Sequence, residues 1–180
     1  HIWLTGDLEL NTITATEQTN LVSWLSGSTI ESPRRLILIG NDIGHELIEE
    51  GADVVGLFPA WLRAEYVDRH PGAYFVSEPD TTILVRDAGL GIMTHDDGEC
   101  WLTCGCPVMG LLDVIDALPG GDSHVLFEYE NGLGEMKPAG VVRVDTLTGA
   151  AIALIPFDLA RMTEGPASGH ADAMGDRVSL

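Results

Sequence analysis

The chain has 180 residues, 28 of them acidic and 9 basic, which gives a formal net charge of −19. Its mean hydropathy is +0.15, whereas disordered acidic segments combine high charge with low hydrophobicity. The composition therefore predicts a folded core within a carboxylate-rich, salt-adapted surface, typical of halophiles or of GC-rich genomes and their viruses. Scattered basic residues argue against duplex nucleic acid as a partner. No apolar run is long enough to span a membrane, so we expect a soluble, intracellular or virion-associated protein.

The first seventy residues predict the parallel portion of an α/β fold, in the order β-α-β-α-β. Thr14 and Glu17 form a capping-box pattern that begins a helix, and Gly27 ends it. Asn41 or Asp42 is expected to cap a second helix. In chain order, the strands are predicted at residues 2–5, 35–39 and 53–58, and the helices at 14–27, 41–51 and 59–70.

The remaining residues predict an antiparallel β meander with one packed helix, because short strands alternate with turn sequences. Pro107 begins this helix over residues 107–118, and Asp113 and Asp116 are expected on its solvated face. The strands are predicted at 73–78, 82–87, 91–95, 99–104, 123–130, 139–145 and 150–156. We expect one mixed α/β domain over residues 1–162, with an α/β half (1–70) and a mainly antiparallel half (71–162), and then a loosely ordered tail (163–180).

Three cysteines, Cys100, Cys104 and Cys106, form a short cluster that does not resemble a disulfide framework. At the predicted strand-to-helix junction, the helix N-terminus would stabilise a Cys106 thiolate, which makes this residue a candidate nucleophile. Together with His95, the three thiolates could bind a transition metal such as zinc. The alternatives are a redox dithiol of Cys104 and Cys106, or small side chains that are simply buried.

A second group of polar residues follows the first two predicted strands. Asp7, Asn41, Asp42 and His45 would lie at the carboxyl ends of parallel strands, where α/β sheets bind their ligands. The pattern resembles calcineurin-like metallophosphoesterases, whose strands end in Asp-x-His and Gly-Asn-His. Asp7 and Asn41 match that pattern, but Glu9 and Asp42 stand at its histidine positions, and the later Gly-His-x-His is absent.

The resemblance implies metal-dependent phosphoester hydrolysis, with Asp7, Asn41 and His45 as the catalytic candidates. The simpler interpretation is that Asn41 and Asp42 cap a helix and that His45 lies on its surface.

Three functions remain open because the sequence contains no complete catalytic set. The first is a non-enzymatic binding or assembly protein that associates with a protein partner or with itself through exposed strand edges. The second is a metal- or thiol-dependent enzyme at the cysteine cluster. The third is a degenerate metallophosphoesterase-like hydrolase.

Overall fold

The structure is a computed structural model that describes residues 1–6, 11–70, 82–88, 99–103, 112–131, 135–157, 159 and 162–163. Its helices are α1 (Ala15–Ser26), α2 (His45–Glu49) and α3 (Leu57–Leu62), of which the last two have the wider π-type winding. Its strands are β1 (Ile2–Gly6), β2 (Arg35–Gly40), β3 (Ala64–His70), β4 (Thr82–Asp87), β5 (Glu99–Thr103), β6 (Leu112–Ala117), β7 (Ser123–Val125), β8 (Phe127–Asn131), β9 (Glu135–Pro138), β10 (Val141–Val144), β11 (Ala151–Ile155) and β12 (Met162–Thr163).

A mixed five-stranded sheet, which we call the central sheet, has the strand order β1-β2-β11-β10-β7. Strands β1, β2 and β11 run parallel, whereas β10 is antiparallel to both of its neighbours. A second, antiparallel sheet has the order β12-β5-β4-β8-β9, and β3 pairs with β6 in an antiparallel ribbon. The mixture of helices with parallel and antiparallel strands is consistent with the predicted α/β class.

The central sheet separates two hydrophobic cores. On one face, Leu36 and Leu38 of β2 pack with the three helices. On the other face, Ile39 of β2 and Ile155 of β11 pack with Phe127 of the second sheet. Alternate residues of a strand point to opposite faces, so β2 contributes to both cores.

Helix α1 has the boundaries that its sequence predicts. The hydroxyl of Thr14 accepts a hydrogen bond from the N–H of Glu17 at 3.4 Å, and the Glu17 carboxylate accepts one from the N–H of Thr14 at 2.8 Å. Gly27 ends the helix and its N–H donates to the carbonyl of Trp24. The predicted capping box is therefore confirmed, because it depends only on residues close in sequence.

The predicted strand 53–58 is wrong, and the predicted helix 59–70 is wrong over residues 64–70, although residues 59–62 belong to α3. The Asp53 carboxylate accepts hydrogen bonds from the N–H groups of Leu57 (2.7 Å) and Phe58 (3.0 Å), and it thereby begins α3 instead of a strand. Residues 64–70 form β3 because they pair with β6. The β-α-β-α-β order is not confirmed, since the third parallel strand of the central sheet is the distant β11.

The predicted helix 107–118 is wrong over its described part, because residues 112–117 form strand β6. Leu112, Val114 and Ile115 are all buried, so the strand is covered on both sides. A short apolar run of this kind does not distinguish a strand from a buried helix by its periodicity. Asp113, expected on a solvated helix face, is fully buried.

Candidate functional site

The carboxyl ends of β1, β2 and β11 lie at one edge of the central sheet, as the parallel registers require. Asn41 and Asp42 directly follow β2 at this edge and are 3% and 1% exposed. Asp42 has a φ of 61°, a left-handed conformation that is uncommon for a residue other than glycine. Part of the predicted polar group is therefore present at the predicted edge.

Asp113 of β6 reaches this edge from the ribbon. Its Oδ2 accepts hydrogen bonds from the N–H groups of Gly44 (2.6 Å) and His45 (3.3 Å). The N–H groups at the beginning of a helix have no acceptor within the helix, so a carboxylate that accepts their hydrogen bonds is favourable there. Asp113, far along the chain, therefore supplies the acceptor for these two N–H groups, and capping by Asn41 or Asp42 stays a prediction.

His45 is partly buried between Glu50 and Tyr66. Its Nε2 lies 3.7 Å from Oε1 of Glu50, and its ring centroid lies 6.2 Å from that of Tyr66. Among the described residues, buried Nδ1 of His45 and buried Oδ1 of Asn41 have no hydrogen-bond partner. Buried polar atoms without a partner are uncommon, and they indicate a place for a bound water or ligand.

Nearby carboxylates have structural roles. Glu46 accepts hydrogen bonds from the N–H of Asn11 (2.6 Å) and from the N–H (2.7 Å) and hydroxyl (2.6 Å) of Thr12. Its carboxylate therefore fixes the segment that precedes α1.

The Tyr129 hydroxyl donates to the carbonyl of Pro156 at 3.4 Å. Burial, with a further contribution from the charge of Asp113, raises the pKa of Tyr129 well above its usual value.

The metal interpretation of the cysteine cluster stays a prediction. His95, Cys104 and Cys106 lie outside the described residues, as does Asp7 of the second group. Cys100 lies in β5, opposite Val85 of β4. Within the described part of the chain, no group of three or more His, Cys, Asp or Glu side chains could hold a metal ion.

A different feature, absent from the sequence interpretation, lies on the second-sheet side of the central sheet. The registers place Ile2 beside Ile37, and Leu4 beside Ile39, on this side. Ile2 is 63% exposed and Leu4 is 70% exposed, although Ile39 next to them is buried. The second sheet thus covers only part of this face. We call the part that remains exposed the open face. Its exposed apolar residues are Ile2, Leu4 and Val144, and it is bordered by Ile37 and Val142, which pack partly against the second core.

No carboxylate belongs to the central-sheet strand residues that point to this side. His124 is paired with Val142, and Arg35 is paired with Ala151. His124 and Arg35 are the only charged or titratable residues among the strand residues of the central sheet that point to this side. The chain carries 28 acidic residues in all. The open face is therefore an apolar surface on which the protein's dominant charge is missing.

The outer edge of β1 adjoins the open face and has no neighbouring strand among the described residues. The carbonyl of His1 accepts the N–H of Ile37 at 3.0 Å. Because backbone groups of successive strand residues alternate in direction, Ile2 and Leu4 direct their N–H and C=O groups outward. β1 is therefore a strand edge with free donors and acceptors.

Comparison of the chain with protein-family models, with curated proteins and with solved structures gives no match in any of the three. Among the described residues, no helix has both the length and the apolar character needed to cross a bilayer. The fold and its surfaces must therefore be interpreted from their own chemistry.

Proposed function

We propose that this chain is a non-enzymatic binding or assembly protein that takes up a protein partner at the open face and along the outer edge of β1. One observation carries the proposal: in a chain of net charge −19, the exposed Ile2 and Leu4 lie on a side of the central sheet whose described strand residues include no carboxylate, beside an edge that no described strand pairs with. Depletion of charge and exposure of contiguous apolar area are features of interaction surfaces.

The outer edge of β1 and the open face contribute different interactions to such binding. An added strand forms main-chain hydrogen bonds with the outward groups of Ile2 and Leu4. Its side chains on the same side cover the exposed Ile2 and Leu4 side chains, which transfers apolar area out of water. The edge therefore supplies orientation and the face supplies apolar contact.

The acidic surface directs association toward the open face and the outer edge of β1. Carboxylates elsewhere repel other acidic surfaces and keep the protein dispersed. At high ionic strength this repulsion is screened, while the apolar contact remains. A salt-adapted surface with one carboxylate-free face is a physical basis for specific assembly in salt.

The test is selection of extended peptides from a random library on the full chain, followed by mapping of the bound peptide by NMR. We expect peptides with alternating apolar residues, and the largest shift changes at the amides of Ile2, Leu4 and Ile37. The double variant Ile2→Lys/Leu4→Lys should weaken peptide binding by about tenfold or more, since it places two charges at the contact.

The matched control is Leu147→Lys, which adds the same type of charge to an apolar side chain that is 86% exposed in another part of the chain. This variant should bind the selected peptides as the wild type does. If the selected peptides map to another surface, or bind the double variant equally well, the proposed function is wrong.

A second candidate function, hydrolysis at the carboxyl end of β2, is supported by the unpaired buried atoms of Asn41 and His45. An imidazole nitrogen could deprotonate a water molecule, and an amide oxygen could orient one. The test is hydrolysis of p-nitrophenyl phosphate with added Mn²⁺. His45→Ala and Asp7→Ala should abolish the activity, whereas His124→Ala should retain it; an inactive wild type would reject this candidate.

A further inference from the structure

We infer that the partner at the edge of β1 is a second copy of this chain, paired antiparallel so that two central sheets form one continuous ten-stranded sheet. The inference rests on the proposed function and names its partner. It follows from the symmetry of the edge, from the direction of its backbone groups and from the distribution of charge.

Symmetry restricts how two β1 edges can pair. A two-fold axis that relates neighbouring antiparallel strands in one sheet is perpendicular to the sheet, so both open faces lie on the same side. Residues directly opposite each other must then point to the same side. Ile2 and Leu4 both point to the open face, and the register that pairs both residues places Ile2 opposite Leu4 of the second copy.

The backbone fits this register. Ile2 and Leu4 are the residues whose N–H and C=O groups point outward, as the hydrogen bond from Ile37 to His1 indicates. Opposite residues with outward groups exchange two hydrogen bonds in an antiparallel ladder. The axis relates two Ile2–Leu4 pairs, and each pair exchanges two hydrogen bonds. The register therefore satisfies four outward N–H donors and four outward C=O acceptors. Trp3 lies at the axis.

The side chains fit it as well. Each exposed Ile2 is brought beside an exposed Leu4, and directly opposite apolar side chains on one face stabilise a sheet. The apolar area left by one copy is thus partly covered by the same residues of the other. No unrelated sequence is needed to complete the contact.

The distribution of charge favours a second copy in this orientation. Two molecules of net charge −19 repel each other over most of their surfaces. β1 and its face contain no carboxylate, so this approach avoids acidic side chains in direct contact.

A five-residue strand supports a weak, reversible dimer, because the contact is far smaller than that of an obligate dimer. Residual repulsion should make the dimer dependent on salt. We therefore expect dimerisation to strengthen between about 0.05 M and about 1 M NaCl, as the screening length shortens.

The first experiment is sedimentation equilibrium of the full chain over this salt range, at protein concentrations from about 10 µM to about 1 mM. The expected result is a monomer–dimer equilibrium whose dissociation constant falls with salt. Leu4→Pro should raise this constant by about tenfold or more, because proline removes an outward donor that β2 does not use. Leu4→Lys is the second variant, in case the proline variant does not fold.

The matched control is again Leu147→Lys, which changes the net charge as Leu4→Lys does and should dimerise like the wild type. A dimer that is equally stable with Leu4→Pro and Leu4→Lys overturns the inference. So does a wild-type chain that is monomeric at every salt concentration. If selected peptides still bind at β1 in that case, the proposed function stands and the partner is a different protein.

The register is tested with single-cysteine variants in a background where the three native cysteines are replaced by serine. A mixture of Ile2→Cys and Leu4→Cys chains should form mixed dimers with a short bifunctional thiol reagent, because opposite Cβ atoms lie about 5 Å apart. Preferential linkage of Ile2→Cys to itself would overturn this register, and self-linkage of both variants would indicate parallel pairing.

Discussion

The two faces of the central sheet differ in how completely they are covered by other parts of the chain. On the helical face, the buried side-chain amide of Gln18 is hydrogen-bonded through both its nitrogen and its oxygen. The nitrogen donates to the carbonyls of Ile13 and Ala52, each at 2.9 Å, and the oxygen accepts a hydrogen bond from the N–H of Val54 at 3.0 Å. On the other face, the second sheet covers Ile39 and Ile155. It leaves the β1 side of the sheet uncovered.

The comparison separates stability from association. Buried, hydrogen-bonded side chains on the helical face contribute to the free energy of unfolding, since a lost partner leaves a desolvated polar group. Exposed apolar side chains on the open face contribute little to the stability of the monomer. They are available to contribute to binding, because their area is still in contact with water.

The largest expected effect is on the helical side, from Glu46→Ala. This change removes the acceptor for two backbone N–H groups and one hydroxyl. We expect a loss of about 2–4 kcal/mol in the free energy of unfolding, measured by urea denaturation. The exposed neighbour Glu49 provides the control, and Glu49→Ala should change stability by less than about 0.5 kcal/mol. Equal effects of the two changes would contradict the structural role of Glu46.

A somewhat smaller effect is expected from Gly44→Ala. An added Cβ would lie 3.0 Å from Oδ2 of Asp113 and 3.0 Å from Cδ2 of Tyr66. It would disturb the cap and cost about 1–3 kcal/mol by thermal or urea unfolding. Gly27→Ala should cost less, since there the Cβ meets only the flexible guanidinium of Arg34. A neutral Gly44→Ala would show that this close packing is not required.

Two valines of β10 compare the faces directly. Val141 is fully buried on the helical side, whereas Val144 is 46% exposed on the open face. Val141→Thr should cost about 1–3 kcal/mol, because it buries a hydroxyl, and Val144→Thr should stay within about 0.5 kcal/mol. Urea denaturation of both variants measures the difference. Similar losses would show that the open face is covered in the monomer.

The smallest effect concerns Tyr129 and appears only in alkali. Burial raises the pKa of Tyr129 in the folded chain well above 10.0, so the unfolded chain loses this proton first. The contribution to stability is complete below about pH 10 and decreases as the pH rises toward the folded pKa. Urea unfolding at about pH 8 and about pH 11 should show a larger decrease for the wild type than for Tyr129→Phe. Parallel decreases would contradict this assignment.

The sequence predicted local features well. The ends of α1 follow from Thr14, Glu17 and Gly27, and the extent of β4 (82–87) agrees with the prediction. Both depend on residues within a few positions of one another. The position of Asn41 and Asp42 after β2 was also predictable, because β2 is a continuous apolar run followed by polar residues.

The candidate sites were less predictable. Asp113 was expected on a solvated surface, yet it binds the N–H groups of Gly44 and His45. No local signal indicates a contact between residues so distant in sequence. The open face was also missed, since the apolar run at the start of β1 is the same whether or not another layer covers it.

By itself, therefore, the sequence determined the acidic composition, the capped α1, several strands and the polar residues after β2. Only the tertiary structure decided that residues 64–70 and 112–117 pair as strands, and that β11 becomes the parallel neighbour of β2. The physical reason is that a helix cap is satisfied by neighbours in sequence, whereas strand pairing and burial depend on partners far along the chain. The exposure of Ile2 and Leu4 was decided in the same way, by where the second sheet ends.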